Sequence, residues 1–219
     1  LVLGTLENKL LLDYYIDRFL KHKLKKKSDD IRNILRLGIY QIMFMQSGKD
    51  YAICNDMVAI TKKRLRGYEG LVNGILRNVV RSKDTLAPPE GSDVKSISTK
   101  YSIDESIINV WLDGYGLDKT IEICEKSCQR APLFARVNTE RINRDEAIDL
   151  LKSQGITAFK VMESDRGILI DNTSQAAAVS GKSFHDGLIS FQDISSILAV
   201  DKLGINDNDY ILDMCAAPG

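Results

Sequence analysis

The chain has 219 residues, of which 44% are hydrophobic and 27% are charged, the ordinary composition of a globular protein of one or two domains. No apolar stretch approaches the ~20 residues that a membrane-spanning helix requires. Four cysteines are too few for a disulfide scaffold and indicate reduced thiols in a cytoplasmic protein. The first residues carry neither an initiator Met nor the features of a signal peptide, so we expect the chain to begin inside a longer protein.

The net charge is zero, but the charges are distributed unevenly along the chain. Residues 1–83 contain 17 Lys and Arg against 8 Asp and Glu, a net charge of +9. Residues 84–219 contain 13 against 22, a net charge of −9. Such a split predicts a basic module that binds a polyanion, joined to a domain of different character.

Apolar residues recur at every third or fourth position through residues 5–82, the spacing of amphipathic helices. The basic run 21–27 closes the first helix, and Asp50 is placed to cap the third. Four helices with short loops predict a small all-α bundle. The predicted buried stripes are Leu6, Leu10, Leu11, Tyr15 and Phe19; Ile31, Leu35, Ile39 and Ile42; Ile53, Met57 and Ile60; and Leu71, Ile75 and Val79.

Residues 85–92, TLAPPEGS, are predicted to form a domain linker because adjacent prolines cannot continue a helix. The pattern that follows, over residues 93–205, indicates a small α+β domain. Its expected elements are helices over 104–115 and 117–127, strands over 133–137, 158–162, 168–170 and 188–191, a helix with a capping box between Asn143 and Glu146, and a last helix capped by Asp193.

Residues 210–215 are predicted to form a buried strand that runs into a turn of small residues, 216–219. Small residues at the end of an apolar strand let the backbone approach a ligand closely. In open α/β sheets, the crevice beyond the carboxyl end of such a strand binds nucleotides. The pattern alone fits a small-residue turn without a ligand equally well.

Basic residues supply a second set of candidate binding features. The runs 21–27 and 62–66 fit either a solvated helix face or an RNA-binding surface, and the +9 excess favours RNA because each phosphate contact contributes through counterion release. Arg136 is a lone charge among apolar strand residues, which predicts a carboxylate partner or a phosphate. Asn138 could add a polar contact.

The cysteines are the remaining candidates for chemistry. Cys124 and Cys128 lie four residues apart on a predicted helix, but zinc would need two more ligands, and His22 and His185 lack the spacing to provide them. No metal site is therefore expected. Together with Cys54, both cysteines fit apolar helix faces as small hydrophobic residues.

Several stretches resemble the RNA 5-methylcytosine methyltransferases. Residues 213–219, DMCAAPG, resemble the S-adenosylmethionine-binding motif of that family, residues 136–139, RVNT, its RNA-binding segment, and residues 184–196, FHDGLISFQDISS, the block before its catalytic domain. Residues 1–83, with NILRLGIYQI and LVNGILRNVV, resemble the later helices of a NusB-like domain. The family type that joins these parts is the RsmB (Sun) type of small-subunit ribosomal RNA methyltransferase.

The resemblance implies a multidomain fold. Residues 1–84 would form an all-α NusB-like RNA-binding bundle, residues 93–205 an α+β domain resembling an RNA-recognition fold, and residues 206–219 the first strand and turn of a Rossmann-like methyltransferase domain. The implied reaction is methylation of carbon 5 of a cytosine in small-subunit ribosomal RNA, with S-adenosyl-L-methionine as cofactor. The implied cofactor contacts are Cys215, Ala216, Ala217, Pro218 and Gly219, and the implied RNA contacts are Arg136, Asn138, Lys25, Lys26, Lys63 and Arg64.

One departure from the family concerns the catalytic cysteines, which in the family lie beyond the position of residue 219. The chain alone is therefore expected to be inactive, and Cys215 would line the cofactor site instead of attacking carbon 6 of the base. A second departure is that Tyr101 and Ser102 are not followed by the usual Pro and Trp. Two alternatives remain open: a non-enzymatic NusB-type RNA-binding factor in transcription or ribosome assembly, and a family member that binds RNA but has lost its thiols.

Overall fold

The computed structural model describes residues 1–20, 22, 28–45, 48–206 and 208–214, and the chain divides into two compact units, Leu1–Gln129 and Arg130–Gly219. The first unit is helical. Its helices are α1 (Val2–Glu7), α2 (Lys9–Phe19), α3 (Ser28–Phe44), α4 (Asp50–Arg64), α5 (Glu69–Arg81), α6 (Val94–Tyr101) and α7 (Glu105–Ser127).

The predicted apolar stripes of α2 to α5 form the main core of the first unit, with three corrections. Leu10 is only half-buried and is not part of this core. Leu6 is 62% exposed because the helix is interrupted at Asn8, so Leu6 belongs to the separate short helix α1. Ile60 is 38% exposed, and Thr61 takes the expected core position on α4. The Thr61 hydroxyl donates to the Met57 carbonyl at 2.7 Å, which satisfies its hydrogen-bonding need inside the core.

An ion-pair cluster joins α2 to α3. Asp13 accepts hydrogen bonds from Arg36, at 2.9 Å from Nε and 2.7 Å from Nη2, and from Arg32 at 3.1 Å. Arg32 also donates to Asp17. Asp13, Arg32 and Arg36 are partly buried, whereas Asp17 is exposed. The two carboxylates neutralise both arginines, so neither arginine is available to bind a polyanion.

The first compact unit extends beyond the predicted linker. Leu86, inside the linker, is 6% exposed and packs into the main core, and α6 packs on α2, where Ser102 Oγ accepts a hydrogen bond from the Leu11 amide at 3.1 Å. The division between the two compact units falls between Gln129 and Arg130. Helix α5 has already ended at Arg81, before the prolines, and Leu86 returns the chain to the core.

The helices predicted over 104–115 and 117–127 are both present and are joined end to end in α7. Gly116 separates them with φ 74° and ψ 175°, a backbone conformation that is essentially restricted to glycine. Asp104 caps the first helix by accepting a hydrogen bond from the Ser106 amide at 2.9 Å.

The second unit contains a four-stranded antiparallel sheet with helices on the connections between its strands. The strands are ordered β2-β3-β1-β4, and with α8 and α9 on the connections the chain order is βαββαβ, the ferredoxin-like arrangement. The elements are β1 (Leu133–Val137), α8 (Arg144–Ser153), β2 (Ala158–Lys160), β3 (Gly167–Ile170), α9 (Gln175–Val179), α10 (Lys182–His185), β4 (Ile189–Phe191) and α11 (Ile194–Asp201).

Local signals in the sequence fix the helix ends in this unit. Asn143 accepts from the Glu146 amide at 2.9 Å while Glu146 accepts from the Asn143 amide, which confirms the predicted capping box. Asp193 caps α11 as predicted, by accepting from the Ser195 amide at 2.8 Å. None of the helices in the described part of the chain is long and apolar enough to cross a membrane.

Residues 210–214 differ from the sequence expectation of a buried strand. The structure assigns them no strand, and the side chains of Tyr210, Leu212 and Met214 are almost fully exposed. A strand needs a neighbouring strand to bond its amide and carbonyl groups, and the four-stranded sheet of the second unit does not include this segment. The predicted strand of a methyltransferase domain therefore has no partner among the described residues.

The left-handed conformation of Gly116 leads to a stability prediction. Gly116→Ala should lower the free energy of unfolding by about 1–3 kcal/mol, because a Cβ is strained at this φ and ψ. The matched control is Gly114→Ala in the same helix, where a Cβ would meet no atom within 4 Å. That change should be neutral or stabilise by up to ~1 kcal/mol. Urea titrations of both variants make the comparison, and equal effects would contradict the assigned break in α7.

Candidate nucleic-acid interface

Strand β1 presents two different faces. Ala135 and Val137 are buried in the core of the second unit together with Leu151 of α8 and Ala178 of α9. Successive side chains of a strand alternate between the faces of a sheet, so Phe134 and Arg136 project from the side opposite these two helices. Both are half-buried.

Three apolar side chains form a row across this open face. Phe134 of β1 pairs with Leu169 of β3, and Leu169 pairs with Phe159 of β2. Residues in register on neighbouring strands lie on the same face, within contact distance of each other. Phe159 is 51% exposed, so the row offers an accessible aromatic ring at the β2 edge.

Arg136 stands beside this row. Its neighbours in register are Gly167 of β3, which has no side chain, and Ser190 of β4. Within the described residues its guanidinium has neither an acidic partner nor a side-chain hydrogen bond. The sequence predicted either a carboxylate or a phosphate as the partner of Arg136. In the described part of the chain, no carboxylate takes that place.

Helix α11 covers one end of the open face. A Cβ on Gly167 would lie 3.2 Å from Cδ1 of Ile194, so the helix packs closely over this glycine. Asp201, at the other end of α11, accepts a hydrogen bond from the Ser164 hydroxyl at 2.7 Å. The remaining surface runs from Phe159 towards Arg136, and we call it the open sheet face: Phe134, Arg136, Phe159 and Leu169.

Asn138 is used within the protein. Its side-chain amide donates to the Gly187 carbonyl at 3.1 Å, and its backbone amide donates to the Leu188 carbonyl at 2.9 Å. Arg141 adds a hydrogen bond of 2.8 Å to the Asp186 carbonyl. The segment after β1 thus holds the turn before β4, and the structure gives Asn138 a positioning role whether or not it contacts RNA.

The stretch 184–196 forms a compact corner beside the sheet. Phe184 packs against Phe191, with 5.0 Å between ring centroids, and Gly187 between them turns the chain with φ 70°. The cap at Asp193 then starts α11. This stretch therefore supports β4 and α11, and the sequence pattern Phe-x-x-Gly is explained locally by an aromatic contact around a left-handed glycine.

The predicted basic surface of the first unit is only partly within the described residues. Lys63 and Arg64 are exposed in the last turn of α4, where cations interact favourably with the helix dipole, and neither has an acidic partner among the described residues. Lys25 and Lys26 lie outside the described residues. The predicted cofactor contacts, residues 215–219, also lie outside them.

Two of the cysteines behave as core residues. Cys54 and Cys124 are buried, and burial raises the pKa of both thiols, which keeps them protonated and poorly nucleophilic. The prediction was wrong for Cys128, which is exposed at the end of α7, where its thiol donates to the Tyr101 carbonyl at 3.7 Å. Among the described residues, no group of three or more His, Cys, Asp or Glu is placed to hold a metal ion.

The apolar row on the open sheet face was not predicted from the sequence. The alternation in β1 was a signal for Phe134, because Arg136 two residues later shares its face. Phe159 and Leu169 could be added only with the strand order and register: Leu169 pairs with Phe134, 35 positions earlier in the chain, and Phe159 joins the row only by pairing with Leu169. No local pattern contains that information.

Comparisons with known proteins match both units. Residues 1–81 match the NusB family, and residues 105–177 match the ferredoxin-like domain of RsmF/B-like methyltransferases. The chain is 32% identical, over its whole length, to the probable ribosomal RNA small subunit methyltransferase B of Bacillus subtilis, and 27% identical to ribosomal RNA small subunit methyltransferase B of Proteus mirabilis. It covers 48% and 50% of these relatives, about half of their length.

Among solved structures, the crystal structure of PH0851 has the same fold over 91% of this chain and 44% of its own, with a TM-score of 0.63 and 18% identity. That likeness concerns the fold alone. The matched regions show that the chain joins a NusB domain to a ferredoxin-like domain of the RsmF/B-like methyltransferase type, in this order. Its relatives match it over its whole length and over about half of theirs.

Proposed function

We propose that the chain is the RNA-binding part of an enzyme that methylates carbon 5 of a cytosine in small-subunit ribosomal RNA, with S-adenosyl-L-methionine as methyl donor. The observation that carries this proposal is the match over the whole chain to small-subunit ribosomal RNA methyltransferases. The string DMCAAPG at residues 213–219 supports the choice of cofactor through its resemblance to the binding motif.

The open sheet face supports the RNA-binding part of the proposal. Four-stranded sheets of RNA-recognition domains bind single strands by stacking bases on aromatic side chains of the sheet. Here Phe134 and Phe159 lie on one face with Leu169 between them in register, and Arg136 adds a charge without an acidic partner among the described residues. Stacking and one phosphate contact together suit a single-stranded segment.

In this reaction the missing catalytic residues would have a defined task. A thiolate would add to carbon 6 of cytosine and make carbon 5 nucleophilic; carbon 5 would take the methyl group from the donor's sulfonium, and loss of the carbon 5 proton would expel the thiolate again. The target base must leave its stack before it can reach the thiol. The buried, protonated thiols of Cys54 and Cys124 do not suit that role. The proposal therefore assigns the described residues to holding RNA and the chemistry to residues outside them.

The first prediction concerns Arg136. Arg136→Gln should weaken binding of a single-stranded RNA about tenfold and reduce the slope of log affinity against log salt by about one, as expected for one lost phosphate contact. Folding should be unchanged because the side chain bonds to no described residue. Arg130→Gln removes an equal charge from an exposed position outside the sheet and is the matched control. Equal losses from both changes, measured by fluorescence anisotropy, would contradict a specific role for Arg136.

A second prediction concerns the basic first unit. Changing Lys25, Lys26, Lys63 and Arg64 together to Glu should weaken RNA binding and flatten its salt dependence, because these cations would no longer release counterions from phosphates. The measurement is the affinity of the whole chain for RNA over a range of salt concentrations. An unchanged slope would mean that these runs only form a solvated face.

A third prediction tests the reaction in the full-length protein, meaning this chain with its natural continuation. That protein should transfer labelled methyl groups from S-adenosylmethionine to cytosines of small-subunit ribosomal RNA, whereas residues 1–219 alone should leave the RNA unlabelled. Ala217→Leu should abolish cofactor binding in calorimetric titrations, because the bulky side chain fills the space that backbone and cofactor share.

The control for that variant is its stability. A turn without a ligand would only be overpacked, with a cost of about 1–3 kcal/mol and no specific effect on the cofactor. A folded Ala217→Leu protein with the cofactor affinity of the unmodified protein would therefore remove the cofactor assignment. Labelling of RNA by residues 1–219 alone would overturn the assignment of the catalytic thiols to residues outside this chain.

A further inference from the structure

A pocket of about 350 Å³ lies between α4 and α5 in the first unit. Its lining combines the N-terminal half of α4, through Tyr51 and Asn55, with the C-terminal half of α5, through Arg77 and Arg81. The four-residue connection between the two helices makes them antiparallel, so these two halves lie side by side. The volume is at the lower end of small-ligand sites and fits one small polar group with a ring.

The cations of the pocket are held in place by neutral groups. Arg77 and Arg81 are one turn apart on the exposed side of α5 and therefore point the same way. Arg77 Nε donates to Asn73 Oδ1 at 3.0 Å, and Arg81 Nη1 donates to Asn78 Oδ1 at 3.3 Å. Among the described residues neither has a carboxylate partner, in contrast to Arg32 and Arg36 of α3. Amide oxygens orient the guanidinium groups and leave their charge uncompensated.

Asp50 contributes a carboxylate to the pocket lining, and this carboxylate forms an ion pair with Lys83. Lys83 Nζ lies 3.4 Å from Asp50 Oδ1. The first turn of α4 also begins here, after Lys49, without a side-chain cap. Asp50 is the first residue of α4, so its carboxylate also complements the helix dipole. The two arginines therefore supply the positive charge that favours an anion such as a phosphate.

Tyr51 provides an aromatic surface at the mouth of the pocket. Its side chain is 65% exposed, and the Lys49 ammonium lies 6.0 Å from the centre of its ring. Most of the Tyr51 side chain is therefore accessible to a planar partner. Cys54 lies deeper in the pocket as a buried thiol whose pKa is raised by desolvation, so it contributes an apolar wall. A phosphate site next to an exposed ring is the arrangement that binds single-stranded nucleic acid.

We propose that this pocket, formed by Tyr51, Asn55, Arg77 and Arg81, binds one nucleotide of a single-stranded RNA, with the phosphate at the two arginines and the base on the Tyr51 ring. The proposal rests on the RNA-binding function proposed above and adds a site on the first unit. Neither basic run of the sequence contains any of these four residues.

The experiment uses the whole 219-residue chain and a fluorescein-labelled single-stranded RNA octamer of mixed sequence. Tyr51→Leu should lower the affinity about fivefold or more, whereas Tyr51→Phe should keep it, because stacking needs the ring and not the hydroxyl. Arg77→Gln with Arg81→Gln should lower the affinity and reduce the salt slope by about two. The matched control, Arg66→Gln with Lys95→Gln, removes two exposed cations that do not line the pocket.

A second measurement locates the RNA directly. Octamers that contain 4-thiouridine, irradiated on the unmodified chain, should crosslink to peptides from residues 50–55 or 77–83. Crosslinks confined to other peptides, or equal losses from the arginine pair and from the control pair, would overturn the pocket while the RNA-binding proposal stands. Inorganic phosphate and polyglutamate serve as competitors for the octamer. If they displace it equally well from the Tyr51→Leu variant and from the unmodified chain, the pocket is a general anion site and the base contact is overturned. Failure of the chain to bind the octamer at all would instead remove the proposed RNA-binding function.

Discussion

Strand β1 can bury only every second side chain, and the second unit is organised around this constraint. Ala135 and Val137 fill the core beneath α8 and α9, which obliges Phe134 and Arg136 to face the other way. A slip of one residue in register would bury the arginine and expose the core residues, so the hydrophobic pattern fixes the register. The chemical character of the open sheet face is therefore a direct consequence of how the core is packed.

In the first unit, internal ion pairing decides which cations can meet a ligand. Asp13 and Asp17 neutralise Arg32 and Arg36, which makes the α2–α3 surface less basic than its composition suggests. The arginines of α5 are instead held by asparagine oxygens, which orient them without cancelling their charge. The +9 excess of residues 1–83 describes the composition of this unit, but the ion pairs determine where that charge is available.

Local features were predictable from the sequence because each depends on neighbouring residues alone. The capping box at Asn143 and the break between two helices at Gly116 are of this kind. The packing of Leu86 into the main core was not predictable, because turn-forming residues indicate that the chain leaves a helix but not where it packs afterwards. The candidate site also has a predictable and an unpredictable part. The alternation of side chains along β1 indicates Arg136, whereas the pairing of Phe159 with Leu169 depends on strand order.

The two proposed surfaces, the open sheet face and the α4–α5 pocket, carry the same kinds of side chain, which suit contacts to RNA that do not depend on its sequence. Arginines contact phosphates that are identical at every nucleotide, and aromatic rings stack on any base. Base identity is read through hydrogen bonds to the base edges, and Asn138, the amide predicted to contact RNA, already donates to Gly187 within the protein. If the proposed function holds, these surfaces hold and orient a single strand. The choice of one cytosine then has to come from the fold of the RNA and from the pocket that receives the unstacked base.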